Sequence, residues 1–206
     1  MGEHLYTFID PPNPKHLKQI QWVLENDGVL AVPADTSWML CCKPNSKKAI
    51  QKIRQLKPLR DKDKPFSVVC DSISMASDMA AINGQAFRLL NRICPGPYTV
   101  LLKSGRLLPK LLKNKRQVVG IRIPNAPLIL EIVRQMETPL LATSIPTDAN
   151  GEVLRMGFAI HEEYSHGIDL VVDLGEELPG TSTTIIDMTQ GSVDIVREGA
   201  GDISIL

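Results

Sequence analysis

Three runs of small hydroxyl side chains could do chemistry in this 206-residue chain: Thr36-Ser37, Thr143-Ser144 and Ser182-Thr183-Thr184. Each adjoins an apolar run that reads as a strand. In an open α/β sheet, ligands gather at the carboxyl ends of strands. Hydroxyls and backbone N–H groups placed there can bind a phosphate or a small polar substrate. The commoner work of Ser and Thr is capping, so one such run would mean little. Three of them, with basic segments between, point to an anion pocket. The stretch GVLAVPADTSWMLCC, residues 28–42, shows the pattern best. Its apolar strand breaks at Pro33 into Asp35, Thr36 and Ser37, then resumes at Trp38.

The net charge of zero hides a strong segregation. Residues 43–64 hold nine Lys/Arg against two Asp, and residues 103–122 hold seven Lys/Arg and no acid. Residues 148–206 hold twelve Asp/Glu against Arg155 and Arg197. Any single exposed lysine is most simply a solvated charge. Two basic blocks together favour an anionic ligand, such as a nucleotide or an RNA backbone.

Other chemistries find less support. There is no GxxxxGK[ST] loop, and Gly199-Ala200-Gly201 lies too near the end of the sequence to open the helix that a dinucleotide fingerprint needs. His161 and His166 are five apart with Glu162 and Glu163 between, which is not the HExxH spacing and reads as an exposed polar helix. No Ser lies in GxSxG, and no Cys has a base beside it in sequence. The four cysteines, Cys41, Cys42, Cys70 and Cys94, form no CxxC pair, and Cys41 and Cys42 would face opposite sides of a strand. They read as buried, reduced thiols of a cytoplasmic protein. The opening residues lack the basic and apolar regions of a secretory signal, and no apolar run approaches the ~20 residues of a membrane span.

The positioning elements follow from periodicity and punctuation. Leu5–Ile9 reads as a strand. Asn13-Pro14 caps a helix with Leu17, Ile20 and Leu24 on one face and Gly28 at its C-terminal cap. Val29–Val32 is a strand. Ser46 caps a helix with Ala49, Ile50 and Ile53 inward. Phe66–Cys70 is a strand, Asp71 or Ser72 starts a short helix, and Asn83 starts another with Ala86, Phe87, Leu90 and Ile93 inward. Cys94-Pro95-Gly96-Pro97 is a hard stop. Strands follow at Tyr98–Lys103, Val118–Ile123, Leu140–Ser144, Ile168–Asp173, Thr183–Asp187 and Val193–Val196, with Leu128, Ile132 and Val133 on an intervening helix. About eight or nine strands with about five helices make one mixed α/β domain over residues 1–206.

Seven segments in order carry a family resemblance. They are the strand-loop VPADTSWMLCC, the basic segment ending Lys64-Pro65-Phe66, Cys94-Pro95-Gly96-Pro97-Tyr98-Thr99, Gly120-Ile121-Arg122-Ile123-Pro124, Ala142-Thr143-Ser144, Thr183-Thr184-Ile185-Ile186-Asp187 and Val196-Arg197-Glu198-Gly199. Together they resemble the YrdC/YciO family of threonylcarbamoyl-AMP synthase-like proteins, and within it the YciO branch. The resemblance implies a twisted open mixed β-sheet flanked by helices, with a concave basic surface. It also implies an ATP site served by Mg²⁺, no tightly bound cofactor, and L-threonine and bicarbonate as co-substrates. The product would be threonylcarbamoyl-AMP, used in tRNA modification. RNA binding is a further family property.

Carried onto this sequence, the resemblance sets Thr36 and Ser37 at the threonine end. Arg54, Lys57 and Lys64 would face phosphates. Thr143, Ser144, Ser182, Thr183 and Arg197 would line the nucleotide, with Arg122 nearby. Arg54, Lys57 and Ser144 would be the catalytic set, and no protein side chain would ligate the metal. The synthases' Lys-x-Arg falls on Arg54, Gln55 and Leu56, and the Asn of their Ser-Ala-Asn falls on Pro146. Those departures imply a weak synthase, or an RNA- or nucleotide-binding protein of the same fold. RNA contacts would fall on residues such as Arg60, Lys62 and Lys115.

Overall fold

The computed structural model describes residues 2–8, 13–57 and 66–206. Arg60, Lys62, Lys64 and the Ile9 end of the first expected strand lie outside them. Ten strands are described: β1 (Glu3–Tyr6), β2 (Leu30–Pro33), β3 (Trp38–Cys42), β4 (Ser67–Val69), β5 (Tyr98–Lys103), β6 (Val118–Arg122), β7 (Leu140–Ser144), β8 (Leu170–Asp173), β9 (Thr184–Asp187) and β10 (Asp194–Arg197). They form one open mixed sheet in the order β1-β8-β2-β3-β7-β4-β6-β5-β9-β10. The α-helices are α1 (Pro14–Glu25), α2 (Lys47–Leu56), α3 (Ile73–Met79), α4 (Gly84–Ile93), α5 (Pro127–Met136) and α6 (Gly157–Tyr164).

The helices start where the capping residues said they would. Asn13, Ser46, Ser72 and Asn83 each accept a backbone N–H from the first turn. Alternation along each strand splits the core in two. Trp38, Leu40 and Cys42 enter one cluster with residues of α2, α3, α4 and α6. Met39 and Cys41 enter the other, with α1 and α5. All four thiols are unpaired, and three are fully buried. Burial pushes the Cys41 and Cys94 thiols up to about 12, which suits packing rather than nucleophilic work.

Several expectations shift. Phe87 is exposed and Leu89 is buried in its place, because the inward face of α4 falls on Ala86, Leu89, Leu90 and Ile93. The first helix ends at Asn26, and Asp27 rather than Gly28 takes the left-handed turn, with φ of 59°. His161 is not on an exposed polar face. It is half-buried, meets the Gly2 carbonyl at 2.9 Å and stacks on His4. The strand count runs higher than the sequence suggests because Trp38–Cys42 forms a strand of its own, β3, antiparallel to β2, and the helix count because α6 shows little apolar periodicity.

Asp173, at the end of β8 and 1 % exposed, meets His4 Nε2 at 2.8 Å and accepts the Gly175 N–H at 2.8 Å. The start of α6 closes over this carboxylate. A Cβ on Gly157 would sit 2.2 Å from Asp173 Oδ2. Gly157→Ala is therefore expected to cost about 1–3 kcal/mol, as overpacking against a fixed polar group does. Denaturant unfolding at constant slope checks this, and an unchanged midpoint would show that the carboxylate can move aside.

Candidate functional site

Strand register explains where a pocket can form. Cys41 pairs with Ala142, Ala142 with Ser67, Ser67 with Gly120, and Gly120 with Leu101. Thr99, two residues from Leu101, pairs with Ile185. These residues share the face that α1 and α5 cover farther along the sheet. Beyond those helices the face carries small side chains, Ala142, Ser67, Gly120 and Thr99, and becomes the floor of a hollow. A Cβ on Gly120 would lie 3.2 Å from both Ser67 Oγ and Thr99 Cγ2, so glycine keeps the floor low.

The hollow is a cavity of about 770 Å³, within the usual range for small-molecule sites. Nine of the anticipated residues line it: Thr36, Ser37, Lys57, Arg122, Thr143, Ser144, Ser182, Thr183 and Arg197. Arg54 does not. It follows the buried Ile53 on α2, and one helical step of about 100° turns it to solvent. Leu56, three residues past Ile53, shares its face and reaches the cavity wall. Lys64 lies outside the described residues.

One end of the cavity holds two guanidiniums. Arg122, at the end of β6, is 6 % exposed. It donates to Asp35 Oδ1 at 2.5 Å and to Thr36 Oγ1 at 3.0 Å, while Asp35 Oδ2 accepts the Asn125 N–H at 2.9 Å. Its Nε is buried and has no acceptor among the described residues. Arg197, on β10, donates to the Thr183 carbonyl at 2.8 Å and to Thr183 Oγ1 at 3.2 Å, and Thr183 shares a hydrogen bond with Thr99 at 2.9 Å. Partial burial and the nearby Arg122 charge lower the Arg197 pKa from its ordinary value. Two cations brought together in this way favour an anion between them.

The other end is different. Lys57, the C-cap of α2, donates to the Ser144 carbonyl at 2.7 Å and to Ser144 Oγ at 2.8 Å. Around it stand Leu56, Ile145, Pro146 and Tyr164. The Tyr164 hydroxyl donates to the Thr147 carbonyl at 2.5 Å. Among the described residues no Asp or Glu lines the cavity, and no cluster of three or more His, Cys, Asp or Glu could hold a metal.

The hydroxyl runs do not all sit at carboxyl ends of strands. Thr143 and Ser144 end β7, but Ser182 and Thr183 precede β9. They reach the cavity because β9 runs parallel to β5, whose own start carries Thr99. Thr99, which ends one of the seven segments, also lines it, as do Ser67, Thr147, Tyr164 and Thr181, which no signal in the sequence set apart. Asp35 was visible in the loop, but its partner Arg122 is 87 residues away.

A family model described as telomere recombination, spanning Sua5, YciO and YrdC, matches residues 22–199. The uncharacterized protein YciO of Escherichia coli is 29% identical over 204 residues, 98% of each chain. Its crystal structure matches with a TM-score of 0.91 over 100% of both chains. A putative threonylcarbamoyl-AMP synthase of Methanocaldococcus jannaschii is 25% identical over 195 residues, 95% of this chain and 91% of that one. Sua5 of P. abyssi complexed with L-threonine shares the fold, with a TM-score of 0.83 at 21% identity over 97% of this chain and 57% of that one. Matched from within α1 to just past β10, and sharing its fold end to end with YciO, the chain belongs to the Sua5/YciO/YrdC family.

Proposed function

We propose that this protein binds a nucleotide in the cavity and performs, slowly, the adenylate chemistry of its threonylcarbamoyl-AMP synthase relatives, in the cytoplasm. The observation that carries this reading is that Arg122 and Arg197 both line a hydroxyl-rich cavity with no carboxylate among its described lining residues. In that chemistry, the amine of L-threonine and bicarbonate form an N-carboxylate with loss of water. Its oxygen bonds to the α-phosphorus of ATP as the bond to the bridging oxygen breaks, and pyrophosphate leaves. The protein needs no nucleophile. Its task is to align two anions and neutralise them.

Thr36 and Ser37 would hold the threonine end, with Arg122 held in place by Asp35. Arg197, Thr183 and Ser182 would meet the phosphate and ribose, and Ser144 with Lys57 would face the leaving side. The described lining residues do not build a Mg²⁺ site, since none of them is a carboxylate. The ion would arrive on the nucleotide's phosphates, and no step is assigned to it.

A single-turnover assay with α-labelled ATP, L-threonine and bicarbonate tests the reading. A new AMP adduct requiring both co-substrates is expected. Its absence, with no protection of the fold by any nucleotide, would end the reading. Arg197→Ala and Ser144→Ala are each expected to cut adduct formation by about 10²–10³-fold, as loss of one oriented charge-stabilising donor does. Both residues are exposed, so their melting temperatures should stay close to wild type.

A second reading, RNA binding, rests on a separate surface. Lys103, Arg106, Lys110, Lys113, Lys115 and Arg116 are exposed, and none is in a salt bridge among the described residues. Phosphate contacts release counterions, so affinity for duplex RNA should fall steeply with salt, and Lys115→Ala should flatten that slope by about one contact. Affinity that is flat from low to physiological salt would remove this reading.

A further inference from the structure

We infer that Thr184 is a positioning residue: its buried hydroxyl locks the register of β10 and so aims Arg197 into the cavity. The consequence for binding rests on the nucleotide reading above.

Arg197 and Arg122 are the cations that would seat the anion, but they stand on different supports. Arg122 ends a strand inside the sheet and is fixed by Asp35 and Thr36. Arg197 lies on β10, the last strand of the sheet, whose four residues are all exposed. Among the described residues β10 pairs with β9 alone. A strand with one neighbour and little burial opens readily.

The pairing also contains a bulge. Ile195 stands opposite Ile186 and Arg197 opposite Ile185, which leaves Val196 as the extra residue. Residues directly opposite share a face of the sheet. Ile185 lines the cavity, whereas Ile186 belongs to the apolar cluster on the other face. In a regular ladder Val196 would meet Ile185, and Arg197 would meet Thr184 on the face away from the cavity. The bulge thus delivers Arg197 to the cavity, and a one-residue slip would take it away.

The segment after β10 holds that register. Thr184, fully buried and paired with Tyr98, accepts the Gly199 N–H at 3.0 Å and donates to the Gly201 carbonyl at 2.7 Å. The Ala200 N–H donates to the Ser182 carbonyl at 2.8 Å, and the Tyr98 hydroxyl donates to the Asp202 carbonyl at 3.0 Å. Both glycines are seated too closely for a side chain. A Cβ on Gly199 would collide with the Ser182 carbonyl, and one on Gly201 with the Tyr98 ring. One hydroxyl therefore ties down the chain just past Arg197 at two points. Thr184 itself does not line the cavity, so it acts on a ligand only through what it holds.

Calorimetric titration with ATP and Mg²⁺ across a mutant cycle tests the inference. Thr184→Val keeps the side-chain shape and removes the hydroxyl. It is expected to weaken binding about tenfold or more, as loss of one oriented hydrogen bond from a charged group does. Thr184→Ser keeps the hydroxyl and should bind within about threefold of wild type. In the Arg197→Ala background Thr184→Val should weaken binding no further, because no guanidinium is left to aim. Losses that add in the double variant, as a purely structural threonine predicts, would overturn the inference, and so would wild-type binding by Thr184→Val. Tyr98→Phe frees the Asp202 carbonyl, should act in the same direction, and replaces Thr184→Val if that variant does not fold. Hydrogen exchange reads the lock without a ligand. Residues 194–201 should exchange faster in Thr184→Val while β5 stays protected. Wild-type protein that binds no nucleotide would end the nucleotide reading. Where no nucleotide binds, exchange alone decides: unchanged exchange over 194–201 overturns the lock, and faster exchange confined to that segment upholds it.

Discussion

Arg122→Leu is expected to destabilise the protein by about 3–5 kcal/mol, because it leaves the Asp35 carboxylate buried without its counter-charge. The two side chains are 7% and 9% exposed, so water replaces little of what is lost. For a chain of this size the melting temperature should fall by roughly 10 °C. Nucleotide protection against heat should vanish as well, since the seat loses its fixed cation. The double variant Asp35→Asn with Arg122→Met separates the two effects. It removes both charges together and should recover most of the stability, as replacing a whole buried pair often does. It should recover none of the nucleotide binding. A single variant as stable as wild type would show that Asp35 is solvated or otherwise compensated. Binding retained by the double variant would move the anion seat elsewhere.

Trp38→Ala should produce a loss of similar size for a different reason. Trp38 is fully buried at the start of β3, and truncating such a side chain costs about 3–5 kcal/mol. It also ties the core to the cavity wall. Its Nε1–H donates to the Arg155 carbonyl at 3.0 Å, and Leu178 N–H donates to the same oxygen at 3.0 Å. Arg155 Nε in turn donates to the Leu178 carbonyl at 2.8 Å, and Thr181 N–H donates to the Thr36 carbonyl at 3.1 Å. Through these bonds the segments around 155 and 178–181 stand beside Thr36. Trp38→Phe keeps most of the apolar volume and loses only the indole donor. It should cost about 1 kcal/mol from that bond alone, while weakening nucleotide binding more than this stability loss suggests. Chemical denaturation paired with calorimetry distinguishes the two. Equal, small changes in both would show that the tie to Arg155 does not matter to the pocket.

The polar break at Asp35, Thr36 and Ser37 beside Trp38 does two things. Asp35 and Thr36 hold Arg122, and Ser37 with Thr36 lines the cavity. Trp38 turns away from the cavity into the other cluster and anchors the wall from behind. Alternation along one strand thus supplies both the site and its support.

Local chemistry in the sequence determined a good deal. Side-chain caps at Asn13, Ser46, Ser72 and Asn83 mark helix starts because each supplies an acceptor to N–H groups the helix cannot satisfy itself. Two-residue alternation in WMLCC places successive residues on opposite faces, whatever the strand pairs with. The ordered motifs carried the family, and nine candidate residues reached the cavity. Tertiary structure alone decided the rest. A hydroxyl at a strand end looks the same in sequence whether it caps, fills or lines a site. Pairing between strands far apart in sequence puts Ser67, Gly120 and Thr99 on one uncovered face, and no short window contains that register. Helical phase turned Arg54 to solvent and Leu56 to the cavity, a difference of two positions that motif alignment cannot see. The gathering of Arg122 and Arg197 in one cavity, and of Leu56, Pro146 and Tyr164 on its lining, exists only once the sheet has closed the distance between them.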